Sequence, residues 1–347
     1  MKEFEIGLYT LGDYVSDAKT GILISEQERI EQIIAAAKLA DKNKFDVFAV
    51  GESHQEHFIS QAHALILAAI ARETKNIRVS SSATIVSTSD PVRVYENFST
   101  LDILSNGRAE LVAGRASRLG LFDLLGYDVR NYEELFEEKF ELLLKLNTEK
   151  SITWSGNFRA ALNEAVLYPK PIQDKLPIWR AVGGPAQSAR LAGIQGVPMM
   201  LATLAGPVSH FNQTVIAYRD AFSHYNPNSL ESKVGITTFL HLAETDEEAF
   251  KNFYQYVNHS FKLANGHGLS KDTYMSVLDI RNAMLVGSAE TIINKIVYQY
   301  KTYKHDRHML QIDLGGMPFD IIEKTIIQLG EVIIPEVKKR ISEIEGE

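Results

Sequence analysis

Short apolar runs alternate with helical patterns along the whole chain. Eight runs have the length and composition of buried strands, namely residues 4–9, 46–50, 77–85, 108–113, 177–182, 198–202, 234–242 and 309–314. Between them, apolar side chains recur every three or four residues, as from Ile30 to Ala37, which places them on one face of a helix. The pattern therefore predicts eight strand–helix units.

Several predicted helices have recognisable start signals. Ser25 and Thr245 each precede acidic residues in the arrangement of a capping box. Asp90 precedes a proline that suits the first helical position. Eight strand–helix units in succession favour a (β/α)₈ TIM barrel. An open doubly wound sheet is the alternative, because hydrophobic periodicity does not reveal whether a sheet closes.

Two intervals are longer than a strand–helix unit requires. Residues 151–176, which include "ITWSGNF" and "AVLYPKP", predict an inserted hairpin and loop after the fourth strand. Residues 265–286 predict a second excursion before the eighth strand. We therefore expect one TIM-barrel domain over residues 1–347 with insertions at these two places. The active site of such a barrel lies at the carboxyl ends of its strands.

Composition excludes several classes of function. The 347 residues are 45% hydrophobic and include no cysteine, which excludes disulfides, thiolate metal sites and cysteine nucleophiles. The formal net charge is -8 without a basic tail, so we expect neither nucleic acid nor an anionic membrane as a partner. The charged start "MKEFEIG" and the lack of long apolar runs predict a cytoplasmic protein.

Two turns that follow predicted strands suit an anion. Arg115 comes directly after Gly114 at the end of the fourth strand, a position where an arginine by itself is more often a solvated cap or half of a surface ion pair. Gly183 and Gly184 follow the fifth strand and open into a helix, whose N-terminal N–H groups favour negative charge. Ser188 adds a hydroxyl donor. Together these residues predict a phosphate site.

The segment "GESHQEHF" after the second strand offers side chains for acid–base chemistry. His54 is the candidate, and polar packing at the strand end is the alternative interpretation. His54 and His57 lie three residues apart on a predicted loop, so they do not supply a converging set of metal ligands and no metal site is predicted. Gln55 replaces the second glycine of a nucleophile elbow, which argues against a serine hydrolase.

Two further segments have unusual composition. Residues 80–82 are three successive serines in a predicted strand, where small side chains would let a flat ring lie against the backbone or would simply fit a crowded barrel. Residues 60–71 are apolar around most of a helix, which predicts burial under an insertion or against a second subunit.

These motifs together resemble the bacterial luciferase-like flavin-dependent monooxygenases. The similar segments occur in family order from residue 4 to about residue 340, and "DPVRVYENFSTLDILSNGRAELVAGRAS" is the most specific of them. The resemblance implies FMN at the barrel mouth, with its phosphate at Arg115, Gly183, Gly184 and Ser188. It also implies a bend, often with a non-proline cis peptide, beneath the flavin ring at Ser81, Ser82 and Ala83.

The resemblance further implies a reaction. A separate flavin reductase would supply reduced FMN, O₂ would react with it, and a small organic substrate such as an aldehyde would be oxygenated, with Glu52 and His54 as the catalytic residues. The family often has Glu-His-His at this loop, whereas this chain has Ser53 between Glu52 and His54. This difference, and the lack of the luciferases' reactive cysteine, argue against aldehyde oxidation with light.

We expect a homodimer rather than the luciferase heterodimer. Two other functions are compatible with the same motifs. One is an oxidoreductase of the same fold that transfers a hydride with a deazaflavin and does not use O₂. The other is a flavin-binding protein without turnover.

Overall fold

The apolar runs form a closed parallel barrel in the computed structural model, which describes residues 4–116, 120–229 and 231–346. The strands are β1 (Glu5–Thr10), β2 (Val47–Val50), β3 (Arg78–Ser81), β4 (Thr84–Ile85), β5 (Ala109–Gly114), β6 (Ile152–Trp154), β7 (Leu162–Ala165), β8 (Ile178–Val182), β9 (Met199–Ala202), β10 (Val234–Leu242), β11 (Leu285–Gly287) and β12 (Arg307–Gln311). The barrel runs in the order β1, β2, β3, β5, β8, β9, β10 and β12, and β12 pairs with β1 to close it. The predicted TIM barrel is confirmed, and the open sheet is wrong.

Helices surround the barrel. They are α1 (Glu26–Lys42), α2 (His63–Glu73), α3 (Pro91–Ser105), α4 (Gly120–Leu125), α5 (Tyr132–Thr148), α6 (Ala186–Ile194), α7 (Val208–Tyr225), α8 (Asp246–Asn265), α9 (Lys271–Met275), α10 (Ala289–Tyr303), α11 (Phe319–Gln328) and α12 (Ile334–Gly346). The predicted caps form, since Ser25 Oγ accepts from the N–H of Glu28 at 3.1 Å and Thr245 Oγ1 from that of Glu248 at 3.2 Å. Within the described ranges, no helix has the length and apolar character needed to cross a membrane.

Both faces of the barrel strands are buried, which explains their nearly continuous apolar runs. Inward-facing side chains form one cluster: Tyr9, Val47, Ala49, Val112, Trp179, Met200 and Met309. Side chains of opposite parity, such as Ile6 and Leu8, pack against the helices. Gly7 is required inside the barrel, because a Cβ there would lie 2.6 Å from Met309 Sδ.

An ionic cluster closes the amino-terminal end of the barrel. Arg307 Nε donates to Glu5 Oε2 at 2.6 Å, and another guanidinium nitrogen donates to Glu110 Oε2 at 2.5 Å. Burial favours a lower pKa for Arg307, but Glu110 and Glu5 outweigh it and the pKa rises. Arg307 also lies 4.6 Å from the centre of the Trp179 ring. These contacts satisfy a buried charge in the barrel interior.

The two insertions lie where the sequence predicts them. β6 and β7 form an antiparallel hairpin between α5 and β8. α9 and β11 form the excursion before β12, and β11 adds to the end of β10. The eighth strand begins at Arg307 rather than at residue 309 as predicted, because the ionic partners of Arg307 let this polar residue occupy a buried strand position.

The apolar helix predicted at residues 60–71 begins at His63 and buries one face against its own chain. Ile66 and Ile70 are buried there. Leu65 is 73% exposed on the opposite face. The helix therefore contributes to the core and also presents an apolar side chain at the surface.

Candidate functional site

Arg115 and Ser188 meet at the carboxyl edge of the barrel. Arg115 follows β5, Ser188 lies in the first turn of α6, and a guanidinium nitrogen of Arg115 donates to Ser188 Oγ at 2.9 Å. The guanidinium also pairs with the exposed Glu133 and lies 5.4 Å from the centre of the Phe136 ring. The aromatic face orients the cation, and the contact with Glu133 is a surface pair that an anionic ligand can replace.

Open space lies in front of the glycine turn after β8. A Cβ at Gly183 or Gly184 would meet no atom of the described residues within 4 Å. Gly184 has a φ of 131°, which favours glycine. Pro185 precedes α6, and its side chain does not cap the first N–H groups of this helix. A cation, a hydroxyl, a helix N-terminus and free volume together fit a phosphate group.

A bend with a cis peptide between Ser82 and Ala83 interrupts the third barrel strand. Gly51 and Gly114 make room for it, since a Cβ at Gly51 would lie 2.4 Å from the Ser82 carbonyl oxygen and one at Gly114 would lie 2.8 Å from Ala83 Cβ. Ser81 is fully buried, and its Oγ accepts from the N–H of Val112 at 3.0 Å. The bend is present where the resemblance implies it, and Ser81 ties it to β5.

Glu52 and His54 form a hydrogen-bonded pair on the loop after β2. His54 Nε2 lies 2.7 Å from Glu52 Oε1, and Glu52 Oε2 accepts from the N–H of Ile85 at 2.7 Å. Glu52 Oε2 also lies 3.8 Å from Nδ1 of His63, whose pKa is lowered by burial although Glu52 opposes this. Glu52 lines an outer groove of about 460 Å³ between α2 and α3. The predicted pair is therefore assembled beside this groove.

A separate cavity of about 300 Å³ lies at the barrel mouth. Its wall includes the apolar side chains Leu11, Phe58, Leu204, Phe239, Phe261 and Leu314 and the polar side chains Tyr9, Asp13, His57, Ser260 and Gln311. His57 lines this cavity, whereas from the sequence we considered it only as a metal ligand. The backbone pairing of Asp13 with Phe58 holds the loop there, a long-range contact that no local sequence pattern indicates.

Two titratable groups near this cavity, Tyr9 and His259, favour their neutral forms. Burial raises the pKa of Tyr9; the carboxylates of Asp313 and Asp13 add to the rise, although a hydrogen bond with Thr237 opposes it. Burial lowers the pKa of His259, and His57 contributes to the same shift. Among the residues described, no group of three or more His, Cys, Asp or Glu side chains is arranged to hold a metal ion.

Comparisons with known proteins agree with this architecture. A family profile described as luciferase-like monooxygenase matches residues 8–305. The crystal structure of the monooxygenase RslO1 from Streptomyces bottropensis superposes with a TM-score of 0.83 at 23% identity, covering 95% of this chain and 99% of that one.

Two other similar proteins differ in their cofactors. The oxygenase component of the flavin-dependent trigonelline monooxygenase of Acinetobacter baylyi is 20% identical over 363 residues, covering 94% of each protein. An F420-dependent secondary alcohol dehydrogenase, solved with an F420-acetone adduct, has a TM-score of 0.73 at 18% identity, covering 96% of this chain and 99% of that one. At these identities the structures support the fold alone.

Proposed function

The chain belongs to the luciferase-like monooxygenase family, and from this premise we propose that it is an FMN-dependent monooxygenase. The observation that carries the proposal is the contact of Arg115 with Ser188 beside the open space in front of Gly183 and Gly184. These residues would hold the FMN phosphate. The bend at Ser82 and Ala83 would lie beneath the flavin ring, and the fully buried Ser81 at the end of β3 would tie it to β5.

In the proposed reaction, the cofactor supplies the redox chemistry and the protein supplies binding, exclusion of water and proton transfer. When bound, reduced FMN supplies two electrons to O₂, so that one oxygen atom enters the substrate and the other leaves as water. The apolar wall of the barrel-mouth cavity limits the access of water to the reacting atoms. His54 is the acid–base residue proposed from the sequence, and Glu52 fixes its ring. His57 is a second candidate because it lines the cavity.

The proposal includes two protein partners. A flavin reductase would supply reduced FMN, which is supported by the relative that is an oxygenase component. A second copy of the chain would pack on the outer groove between α2 and α3, where Leu65 is exposed. The substrate would be a small organic molecule, and the catalytic unit would be one TIM-barrel domain over residues 1–347.

Hydride transfer with F420 is the second candidate function, favoured by the structural similarity to the F420-dependent dehydrogenase. The phosphate site suits either cofactor, since both carry a phosphate on the same side of the ring system. Titration of the purified protein with FMN, reduced FMN and F420, followed by mixing with O₂, separates the two. Tight binding of reduced FMN and its oxidation by O₂ with substrate oxygenation support the monooxygenase. Binding of F420 alone contradicts it, and binding of FMN without turnover indicates a flavin-binding protein.

A further inference from the structure

The barrel-mouth cavity lies across the barrel from the phosphate site. Arg115 follows β5 and Gly183 follows β8. The cavity is lined by Tyr9 of β1, by Leu11 just after that strand and by Gln311 of β12. In the order of the closed barrel, β12 and β1 are the strands diametrically opposite β5 and β8. A cofactor held by its phosphate on one side therefore leaves this cavity for a second ligand.

The charge of the cavity wall selects against anions. Neither lysine nor arginine contributes to the wall among the residues described, and Asp13 is its only carboxylate. Asp13 accepts from Gln311 Nε2 at 3.3 Å and from the N–H of Gly315 at 3.4 Å. A carboxylate or sulfonate bound here would lose its hydration without gaining a lysine or arginine partner, which is strongly unfavourable.

Two buried side-chain polar atoms of the cavity-lining residues lack hydrogen-bond partners within the described part of the chain. They are Oε1 of Gln311, a residue only 1% exposed, and Oγ of Ser260. Because the carboxylate of Asp13 can only accept, it fixes the N–H₂ end of the Gln311 amide and leaves Oε1 as the free acceptor. A buried acceptor of this kind is destabilising until a donor reaches it. The wall is therefore complementary to a ligand that brings an O–H or N–H group.

We propose that this cavity binds the substrate as an uncharged, mainly apolar molecule that donates one hydrogen bond to Gln311 Oε1. Phe58, Phe239 and Phe261 contact its apolar body. A cavity of about 300 Å³ accommodates about ten non-hydrogen atoms, at roughly 30 Å³ each. The identification of this ligand as the substrate rests on the proposed monooxygenase function, whereas its chemical class follows from the wall alone. A hydroxyl or amide compound thus fits better than the aldehyde expected from the family resemblance.

Calorimetric titration with three matched probes tests the proposal. Phenylbutanol carries a donor, its methyl ether lacks the donor, and phenylbutyrate is an anion of similar size. With the FMN-loaded protein we expect phenylbutanol to bind about 3- to 10-fold more tightly than the ether, the range for one hydrogen bond. Phenylbutyrate should bind at least about 100-fold more weakly than the alcohol.

A pair of glutamine variants isolates the acceptor. Gln311→Leu should abolish the preference for the alcohol over the ether. Gln299→Leu is the matched control, because Gln299 is equally buried and its Oε1 also lacks a partner in the described structure, but it lies on α10 outside the cavity wall. The control should retain the full preference.

Several outcomes overturn the proposal. They are the absence of saturable binding by all three probes, equal binding of alcohol and ether to the native protein, tighter binding of phenylbutyrate, and equal loss of preference in both glutamine variants. If Gln311→Leu does not fold, the relative affinities of the three probes for the native protein still test the proposed selectivity of the cavity. Titrations of the three probes without FMN separate the chemical class of the ligand from the identity of the cofactor. If FMN fails to bind, the proposed function is contradicted, and the ranking of the probes in the FMN-free protein still tests the proposed selectivity of the cavity.

Discussion

Arg115 supplies the positive charge at the proposed phosphate site. Its guanidinium already contacts Ser188, so a phosphate between them would gain a charge-assisted hydrogen bond. We expect Arg115→Ala to weaken FMN binding by about 10- to 150-fold, which corresponds to about 1.5–3 kcal/mol. Riboflavin, which lacks the phosphate, should bind native protein and variant alike. Quenching of flavin fluorescence on titration measures both affinities.

Arg130 provides the control for this substitution. Its side chain is 86% exposed and pairs with the neighbouring Asp128, so Arg130→Ala should leave both flavins unaffected. If Arg115→Ala weakens FMN and riboflavin to the same extent, Arg115 does not bind the phosphate.

We expect the two histidines of the loop after β2 to differ in their contribution to proton transfer. A general acid or base must reach the reacting atoms, and His57 lines the cavity whereas His54 is paired with Glu52. We expect His57→Ala to slow the oxidation of bound reduced FMN by O₂ by about 100-fold, and His54→Ala to have a smaller effect through the loop. Stopped-flow absorbance measures the rate, and FMN affinity should remain unchanged. A larger loss in His54→Ala would instead support the assignment made from the sequence.

At the residue scale, the sequence predicts the location of side chains that directly follow the ends of strands. Arg115 and Ser188 both follow parallel strands of one barrel, so their proximity could be anticipated from the order of the elements. The proposed roles of Gln311 and His57 in the cavity could not be predicted from the sequence. Their roles depend on which side chains face one cavity and on the partner of each amide and carboxylate, and these contacts join residues far apart in the chain.

At the scale of elements, α2 offers a direct test of assembly. We expect the native protein to be a dimer in light scattering and Leu65→Glu to be a folded monomer, because the charge would lie in an apolar interface. Ile216→Glu, at an exposed position of α7, is the control and should remain dimeric. A native monomer at micromolar concentration would contradict the proposed assembly. Ile66 is unsuitable for this test, since its burial within the chain means that a charge there would disrupt the fold itself.

The sequence predicts the main elements well because their cause is local. Each apolar run overlaps one barrel strand, and the serine, threonine and aspartate caps begin helices as expected. The short strands β4 and β11 were not predicted separately. They are two and three residues long, and pairing with β5 and β10 rather than a local pattern defines them.

At the scale of the whole molecule, buried histidines make stability depend on pH. Burial lowers the pKa of His308 to about 3, and burial followed by the charge of Lys19 lowers that of His241 to about 4. In the unfolded chain both would titrate near about 6.5, so below that pH the unfolded state binds more protons and stability falls. We expect each to remove about 2 kcal/mol from the free energy of unfolding between about pH 8 and about pH 5. Urea unfolding across this range measures the loss.

Two variants identify the source of this pH dependence. His241 stacks on Phe253 with ring centres 5.2 Å apart, so His241→Phe keeps an aromatic side chain and removes one titrating group. The variant should lose less stability on acidification than the native protein. His224→Gln, at an exposed position, should behave like the native protein. Equal acid sensitivity of all three proteins would assign the effect to other groups.

The pairing of β1 with β12 has a consequence for biosynthesis. Glu5 lies opposite Arg307, and the register continues to Leu8 opposite Leu310. A ribosome that adds roughly 5–20 residues per second needs roughly 15–60 s to make the intervening chain. Throughout that time one edge of β1 lacks its partner strand, although the other edge can pair with β2, and such an open edge is a template for association with other chains. We therefore expect a polypeptide released before β12 emerges to aggregate instead of reaching the native state.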